Sequence, residues 1–390
     1  MMKNLLLGLG AIVITLSASA QNQITDKYGK GITILGKDST FLLKANTRIQ
    51  CRYDYQREDN NSSDAEEFDR AYVRRTRIKF GGWAFSPKVK YKIEHDLLNG
   101  VTYDAVIKYN FWKNVEIWGG QTKLPGNRER VISSQKLQFV DRSLLNTVFT
   151  LDRDAGIQLR NKHKIGNMVV REMFAISQGE GLNDKGKNKD GDKHPFGHEY
   201  TGRVEFLPFG NFTSKGDYFA SDLKREKSQK LAIGLTYDYN QNVMFSRKVK
   251  GDTLASRRNF INFHADFMYK YRGFSLMGEY ANADVVNAAG KYVRHDGAGG
   301  FFEVGEGVNL QGGYLFNNNV ELSGRYSTYI PFSNTNGGLS RQNQYTIGVS
   351  KYVVGHYLKV QSDITLAETM VGSGKWANDL IYRLQFELAF

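Results

Sequence analysis

Basic side chains recur at spacings of two and four residues early in this chain. They are Lys44, Arg48, Arg52, Arg75, Arg77, Lys79, Lys90 and Lys92. In an extended chain, these spacings put side chains on one face. A row of such cations attracts anions, and Arg binds phosphate through paired hydrogen bonds whereas Lys acts as a point charge. The chemistry indicated is recruitment of anions. The open alternative is a wide, water-filled channel whose mixed charges are hydrated and give no strong ion selectivity.

Strands must position these side chains, and a period of two runs through the whole sequence. The apolar set of the last strand is Leu380, Tyr382, Leu384, Phe386, Leu388 and Phe390, with mostly polar residues between them. Sixteen segments show the pattern: 41–55, 69–83, 88–96, 101–111, 114–123, 155–162, 167–177, 198–207, 229–239, 260–271, 273–281, 307–316, 319–329, 343–353, 356–366 and 378–390. One apolar and one polar face on each strand is typical of a membrane-spanning barrel. The sequence therefore predicts an all-β fold, a transmembrane antiparallel β-barrel of about sixteen strands over residues 41–390.

The connections between these segments alternate between short and long, as the periplasmic turns and outer loops of bacterial barrels do. The long connection 208–228 falls where a short turn is expected, so a missed hairpin there would change the strand count by two. A second irregularity concerns Arg74, which the phase of its strand would turn toward lipid at a high energetic cost. A β-bulge near Arg74 and Arg75 would remove this conflict.

The connection 124–154 is long for a loop without a function. Basic residues lie beside both of its ends, and we expect Lys123, Arg142 and Arg153 to form a constriction if the loop folds into the barrel. If the loop stays outside, the same cations are solvated surface; we favour the inward arrangement. Within it, Leu137 to Leu145 is a candidate short helix.

The N-terminus predicts export. Lys3 precedes an apolar run, and Ala18-Ser19-Ala20 offers a small-residue cleavage site, so residues 1–20 read as a signal peptide cut near Ala20. Residues 21–40 would then form an N-terminal periplasmic segment, and the mature chain would lie in the bacterial outer membrane. The single cysteine, Cys51, cannot form an internal disulfide.

The formal net charge of +13 is compatible with nucleic-acid binding, but an exported chain without a nucleic-acid motif makes that partner unexpected. Catalysis is also not expected. His264 and Asp266 share a face, yet no Ser nucleophile can be placed beside them. The aspartates at 184, 190 and 192 lack the closing glutamate of a calcium loop. We expect no enzyme activity, no metal site and no cofactor.

An ordered set of segments carries a family resemblance. The segments are Phe68 to Phe80, Tyr103 to Ile107, Gly120 to Pro125, Phe139 to Leu144, Asp152 to Gly156, Gly202 to Gly210, Glu279-Tyr280 and Gly324 to Ser327. The chain resembles the phosphate-selective porin O and P family in its Bacteroidetes-like branch. The resemblance implies a trimeric sixteen-stranded outer-membrane barrel with a loop folded into the pore. It also implies anion preference and phosphate or polyphosphate uptake.

The expected function is that of an outer-membrane porin for passive diffusion of small solutes, biased toward anions, with inorganic phosphate or polyphosphate as candidate solutes. The expected partners are small anionic solutes, outer-membrane lipid and two further copies in a homotrimer. Two alternatives stay open: a general or oligosaccharide porin, and a structural or adhesive barrel with a plugged lumen.

Overall fold

The computed structural model describes residues 23–26, 29, 31–58, 66–182, 197–332, 340–371 and 374–390. The signal peptide predicted for residues 1–20 lies outside the described residues. A short hairpin, β1 (Gln23–Asp26) and β2 (Ile32–Leu35), comes first. The long strands are β3 (Phe41–Glu58), β4 (Glu66–Ala84), β5 (Ser86–Asp96), β6 (Val101–Trp112), β7 (Val115–Lys123), β8 (Arg153–Ile165), β9 (Met168–Ser177), β10 (Glu199–Leu207), β11 (Lys230–Arg247), β12 (Lys250–Tyr271), β13 (Phe274–Val286), β14 (Gly305–Leu315), β15 (Val320–Pro331), β16 (Gln342–Val354), β17 (Leu358–Val371) and β18 (Lys375–Ala389).

The long strands close into a ring. Each of β3 to β18 pairs antiparallel with the next, and β18 pairs back onto β3 from Leu380 opposite Arg57 to Ala389 opposite Arg48. Phe390 completes the seam, because its N–H and C=O both bond to Thr47. The predicted sixteen-stranded antiparallel barrel is confirmed, and each predicted segment overlaps one of the strands β3 to β18. Following the usual orientation of bacterial barrels, we call the end with short turns periplasmic and the other end outer.

The bulge expected at Arg74 is present. Gln50 pairs with Arg75 and Cys51 with Val73, so Arg74 is the extra residue between two pairs of β3 and β4. An extra residue lets the strand change phase. Both Arg74 and Arg75 therefore border the inside of the barrel.

Apolar side chains cover the outside of the barrel and polar ones the inside. Ile107, Ile157 and Ile347 are more than half exposed on the outer face, whereas Gln50, Asp96 and Glu387 are almost fully buried within. The arrangement is the reverse of that in a water-soluble protein. It arises because apolar and polar residues alternate along strands that separate lipid hydrocarbon from a polar interior. In the described part of the chain, no helix has both the length and the hydropathy to cross a membrane.

The long periplasmic connection is not a missed hairpin. Residues 208–229 contain no strand, only a 3₁₀ segment (Thr213–Tyr218), and they fold into the lumen. There Phe212 joins a buried apolar cluster inside the barrel. The other members of this cluster are Ile132, Leu137, Val169, Leu207, Ala232, Met268 and Met277. Part of the protein's core thus lies within the barrel itself.

Candidate pore and constriction

The loop between β7 and β8, residues 124–152 (the constriction loop), folds inward as predicted. The Arg128 guanidinium donates to Asp266 at 2.7 Å and to Glu205 at 3.2 Å, on β12 and β10. Further along, the backbone N–H of Val140 donates to Asp363 on β17 at 2.8 Å. These partners stand on widely separated strands, so the loop crosses the lumen.

Within the loop, the helix predicted at Leu137–Leu145 is wrong. The helices are α1 (Arg128–Val131) and α2 (Leu144–Val148). The second begins only at Leu144 because the Ser143 hydroxyl accepts the Asn146 N–H and acts as its N-cap. The preceding residues stay non-helical, which leaves the Val140 N–H free to reach the barrel wall. An apolar contact then fixes α2, where Leu144, Leu145 and Phe149 pack on the inner face of β13 and β15.

Two cavities remain beside the loop, both against the β4–β9 side of the barrel. The outer one has a volume of about 420 Å³, and the one toward the periplasm about 650 Å³. Lys123, the last residue of β7, borders both cavities. On the opposite side of the lumen, the constriction loop packs on β13 and β15, and residues 208–229 bond to β15 and β16.

Cations dominate the outer cavity. It has eight basic residues against three acidic ones: Arg74, Arg75, Arg77, Lys123, Arg130, Arg142, Arg153 and Lys250, with Glu94, Asp96 and Asp152. Several of these cations are ion-paired. Arg77 contacts Glu94 and Asp96 at 3.0 and 3.2 Å. Arg75, by contrast, donates to the neutral Gln50 side chain at 2.7 Å.

The inner cavity is also cation-rich. Its nine basic residues are Lys92, Lys108, Lys123, Lys136, Arg160, Lys162, Arg171, Arg203 and Lys215, and its three acidic residues are Asp104, Glu116 and Glu205. Aromatic rings hold some of these cations. The Lys108 ammonium lies 3.4 Å and the Arg160 guanidinium 4.0 Å from the centre of the Trp118 ring, a contact that the ring quadrupole favours.

Lys136, on the constriction loop, lies with its ammonium 3.6 Å from the centre of the Phe219 ring. Burial, followed by repulsion from Lys215 and Lys92, lowers the pKa of Lys136 to about 8. The positive charge of this loop residue is therefore lost at mildly alkaline pH.

The predicted wall residues fall into two groups. Arg75 and Arg77 border the outer cavity and Lys92 the inner one. Lys79 lies 3.7 Å from Glu94, and Lys90 lies 3.8 Å from Glu116.

The remaining wall predictions lie elsewhere. Arg48 and Arg52 border neither of these cavities; they bond to the constriction loop, Arg48 to Ser134 and Arg52 to Asp141. Lys44 is exposed toward the periplasmic end.

The three predicted constriction residues come together at the loop. Lys123, Arg142 and Arg153 all border the outer cavity. The Lys123 ammonium donates to the carbonyls of Arg130, Val131 and Ile132 at 2.6, 3.1 and 3.1 Å, so it holds the end of α1. Arg142 also donates to Ile132, whereas Arg153 pairs with Asp104 at 3.2 Å.

Sequence reasoning missed part of the inner cavity. Arg160 and Lys162 follow Gln158 at intervals of two on β8, the same signal that singled out the early strands. Lys215 carried no such signal, because it reaches the cavity from an irregular segment. Across the described ranges, no group of three His, Cys, Asp or Glu is arranged to hold a metal ion.

The fold matches solved outer-membrane channels of low sequence identity. The DcaP channel of Acinetobacter baumannii superposes with a TM-score of 0.58 at 15% identity, over 89% of this chain and 97% of that one. An anion-selective porin from Comamonas acidovorans gives 0.56 at 11% identity, over 89% and 99%. The trimer form of OmpT from Vibrio cholerae gives 0.52 at 11%, over 88% and 99%.

Among curated proteins, none matches this chain. The sequence profile of the phosphate-selective porins O and P matches residues 43–365, which is most of the barrel. With the closed sixteen-stranded barrel and its inward loop, that match makes the chain an outer-membrane porin, a member of the phosphate-selective porin O and P family.

Proposed function

We propose that this porin passes small anions passively along the β4–β9 side of its barrel. The observation that carries the proposal is the charge of the two cavities. The outer one has an excess of five positive charges and the inner one an excess of six. Like-signed charges that converge on a confined space raise the local concentration of counter-ions and repel co-ions.

The basic residues predicted from sequence take different roles in this proposal. Arg75, Arg77 and Lys92 act on the ion directly as it passes. Lys123 and Arg52 act by holding the constriction loop, through its carbonyls and through Asp141. Arg142 and Arg153 border the outer cavity and bond to neighbouring groups, so they contribute to both roles.

The solute, the oligomeric state and the route of export are proposed on separate grounds. The family suggests inorganic phosphate or polyphosphate as solutes, and the guanidinium groups of the outer cavity offer phosphate paired donors. A homotrimer is suggested by the trimeric OmpT form of the same fold. Export through a signal peptide cleaved near Ala20, followed by a periplasmic segment to residue 40, completes the proposal. No catalytic step and no cofactor is part of it.

Reconstitution in a planar bilayer tests the proposal. In a tenfold KCl gradient the reversal potential should have the sign of an anion-preferring channel, and added phosphate should reduce the chloride current. A reversal potential of the opposite sign would refute the anion preference. A phosphate effect no larger than that of sulfate would leave an anion porin without phosphate specificity.

One observation favours the plugged barrel as a second candidate. The constriction loop and residues 208–229 together bury apolar side chains in the lumen, among them Phe212, Ile132 and Met268. If this plug seals the barrel, purified protein inserts into bilayers without a conductance step. Conductance measurement therefore separates the two functions directly.

A further inference from the structure

We propose that residues 208–229, which enter the lumen from the periplasmic end, are a second selectivity-determining element of this channel. They confine ions to the cation-lined side of the barrel and cover the Glu321 carboxylate on the other side. This inference rests on the proposed anion-porin function, and its test below separates the two.

The segment is built as a fixed plug rather than a loose turn. The buried Lys270 ammonium on β12 donates to three of its carbonyls, those of Gly216, Phe219 and Ser221, at 2.9, 2.8 and 2.7 Å. The Asp222 carboxylate accepts the N–H groups of Glu226 and Gly273 at 3.0 and 2.8 Å. All three N–H donors of the Lys270 ammonium therefore bond to the backbone of residues 208–229.

The segment also spans the lumen. On one side of the lumen, Asp217 forms an ion pair with Arg171 on β9. On the other, the Ser221 hydroxyl bonds to Glu321 on β15 and to Tyr352 on β16, both at 2.6 Å. Contacts to strands this far apart around the ring mean that the segment fills the space between them.

It meets the constriction loop inside the barrel. The Ala220 N–H donates to the Lys136 carbonyl at 3.0 Å, and Arg128 of α1 donates to the Asp217 carbonyl at 3.3 Å. Phe212 packs with Ile132 and Leu137 of the loop. The narrow part of the barrel is therefore made by two segments that enter from opposite ends.

Its two sides face different surroundings. One side borders the inner cavity through Ser214, Lys215, Tyr218 and Phe219. On the other side, the carboxylate of Glu321 on β15 accepts the Ser221 hydroxyl and is fully buried. Removing the segment would join the inner cavity to a wall that carries Glu321, whose negative charge attracts cations. A wider passage with mixed charges would select anions less.

The decisive pair of variants is Lys270→Met and Lys230→Met. The two lysines are direct partners across β11 and β12, so each substitution removes one positive charge from the same level of the barrel. The two lysines differ in the number of bonds that they make to residues 208–229. Lys270 makes three, whereas Lys230 makes one, to the Phe209 carbonyl. A third variant replaces residues 211–225 with a Gly/Ser linker that carries one lysine, which keeps the net charge unchanged.

Single-channel conductance and salt-gradient reversal potential are measured for each variant, after heat-modifiable migration on gels has verified the folded barrel. Releasing one wall of the inner cavity should raise conductance about twofold and lower the anion/cation permeability ratio at least about twofold in Lys270→Met and in the linker variant. Lys230→Met should stay close to the wild type in both measures.

Wild-type conductance in the linker variant, or equal effects of the two lysine substitutions, would overturn the inference. If the linker variant does not form a barrel, the lysine pair decides. A wild-type channel without anion preference would refute the proposed function, while the conductance comparison would still decide whether residues 208–229 limit the passage.

Discussion

Replacing Arg75 by Gln should lower the anion/cation permeability ratio about fivefold. Arg75 suits this test because it borders the outer cavity and its side chain bonds to the neutral Gln50, so its charge is not cancelled by direct pairing. A sphere of the cavity's volume, about 420 Å³, has a radius of about 4.6 Å. A permeating ion thus passes within about 5 Å of the guanidinium group.

At that distance in water, one charge contributes about 0.8 kcal/mol, and screening at 0.1 M salt leaves about 0.5 kcal/mol. The interaction has the opposite sign for a cation. Loss of the charge therefore changes the energy of the anion relative to that of the cation by about 1 kcal/mol, which corresponds to about a fivefold change in the permeability ratio. Reversal potentials in a KCl gradient measure this ratio. Arg57→Gln is the matched control, since Arg57 is more than half exposed at the outer rim, 3.8 Å from Glu67, and its loss should change the ratio less than about 1.5-fold. An Arg75→Gln channel with an unchanged ratio would mean that ions do not pass Arg75.

Three further results are expected. Lys123→Met should raise conductance and open-channel noise, because the carbonyls at the end of α1 lose all three bonds to the ammonium; a quiet channel of wild-type conductance would contradict this. Since the pKa of Lys136 is lowered to about 8, its charge is present at pH 7 and lost as the pH rises to 9, so anion preference should fall over that interval and Lys136→Gln should make the fall smaller; an equal fall in the variant would contradict this. Deleting Phe390 removes both hydrogen bonds to Thr47 at the barrel seam, about 1 kcal/mol each, and should lower the folded fraction on unheated gels; a wild-type fraction would show that the seam closes without it.

The sequence predicted the barrel well because its signal is local. Alternation of apolar and polar residues depends only on neighbours in the chain, so each of the sixteen segments could be recognised by itself. The same local argument found the bulge at Arg74, where the phase of the strand would have turned a charged side chain toward lipid. Strand ends were less visible: the connection 240–259, read as a loop, is mostly a continuation of β11 and β12.

The interior was harder to predict because its contacts join residues far apart in sequence. Arg48 and Arg52 were recognisable as inward cations, but not as partners of Ser134 and Asp141, nearly ninety residues away. The inward course of residues 208–229 left only an anomaly of length in the sequence. Its anchor, Lys270, looks like any other inward lysine until the carbonyls that it binds are placed.

Pairing within the outer cavity has a consequence for transport. If all eight of its cations were free, the cavity would hold a multivalent anion tightly and release it slowly, and a channel must bind weakly enough to let ions leave. Arg77, placed between Glu94 and Asp96, and Arg153, beside Asp104, have part of their charge offset by these acids. The remaining excess of positive charge still favours anions over cations. We therefore expect removal of a carboxylate partner, as in Glu94→Gln, to strengthen anion binding and to lower the anion current at high phosphate, whereas a purely structural role for Glu94 would leave the phosphate dependence of the current unchanged.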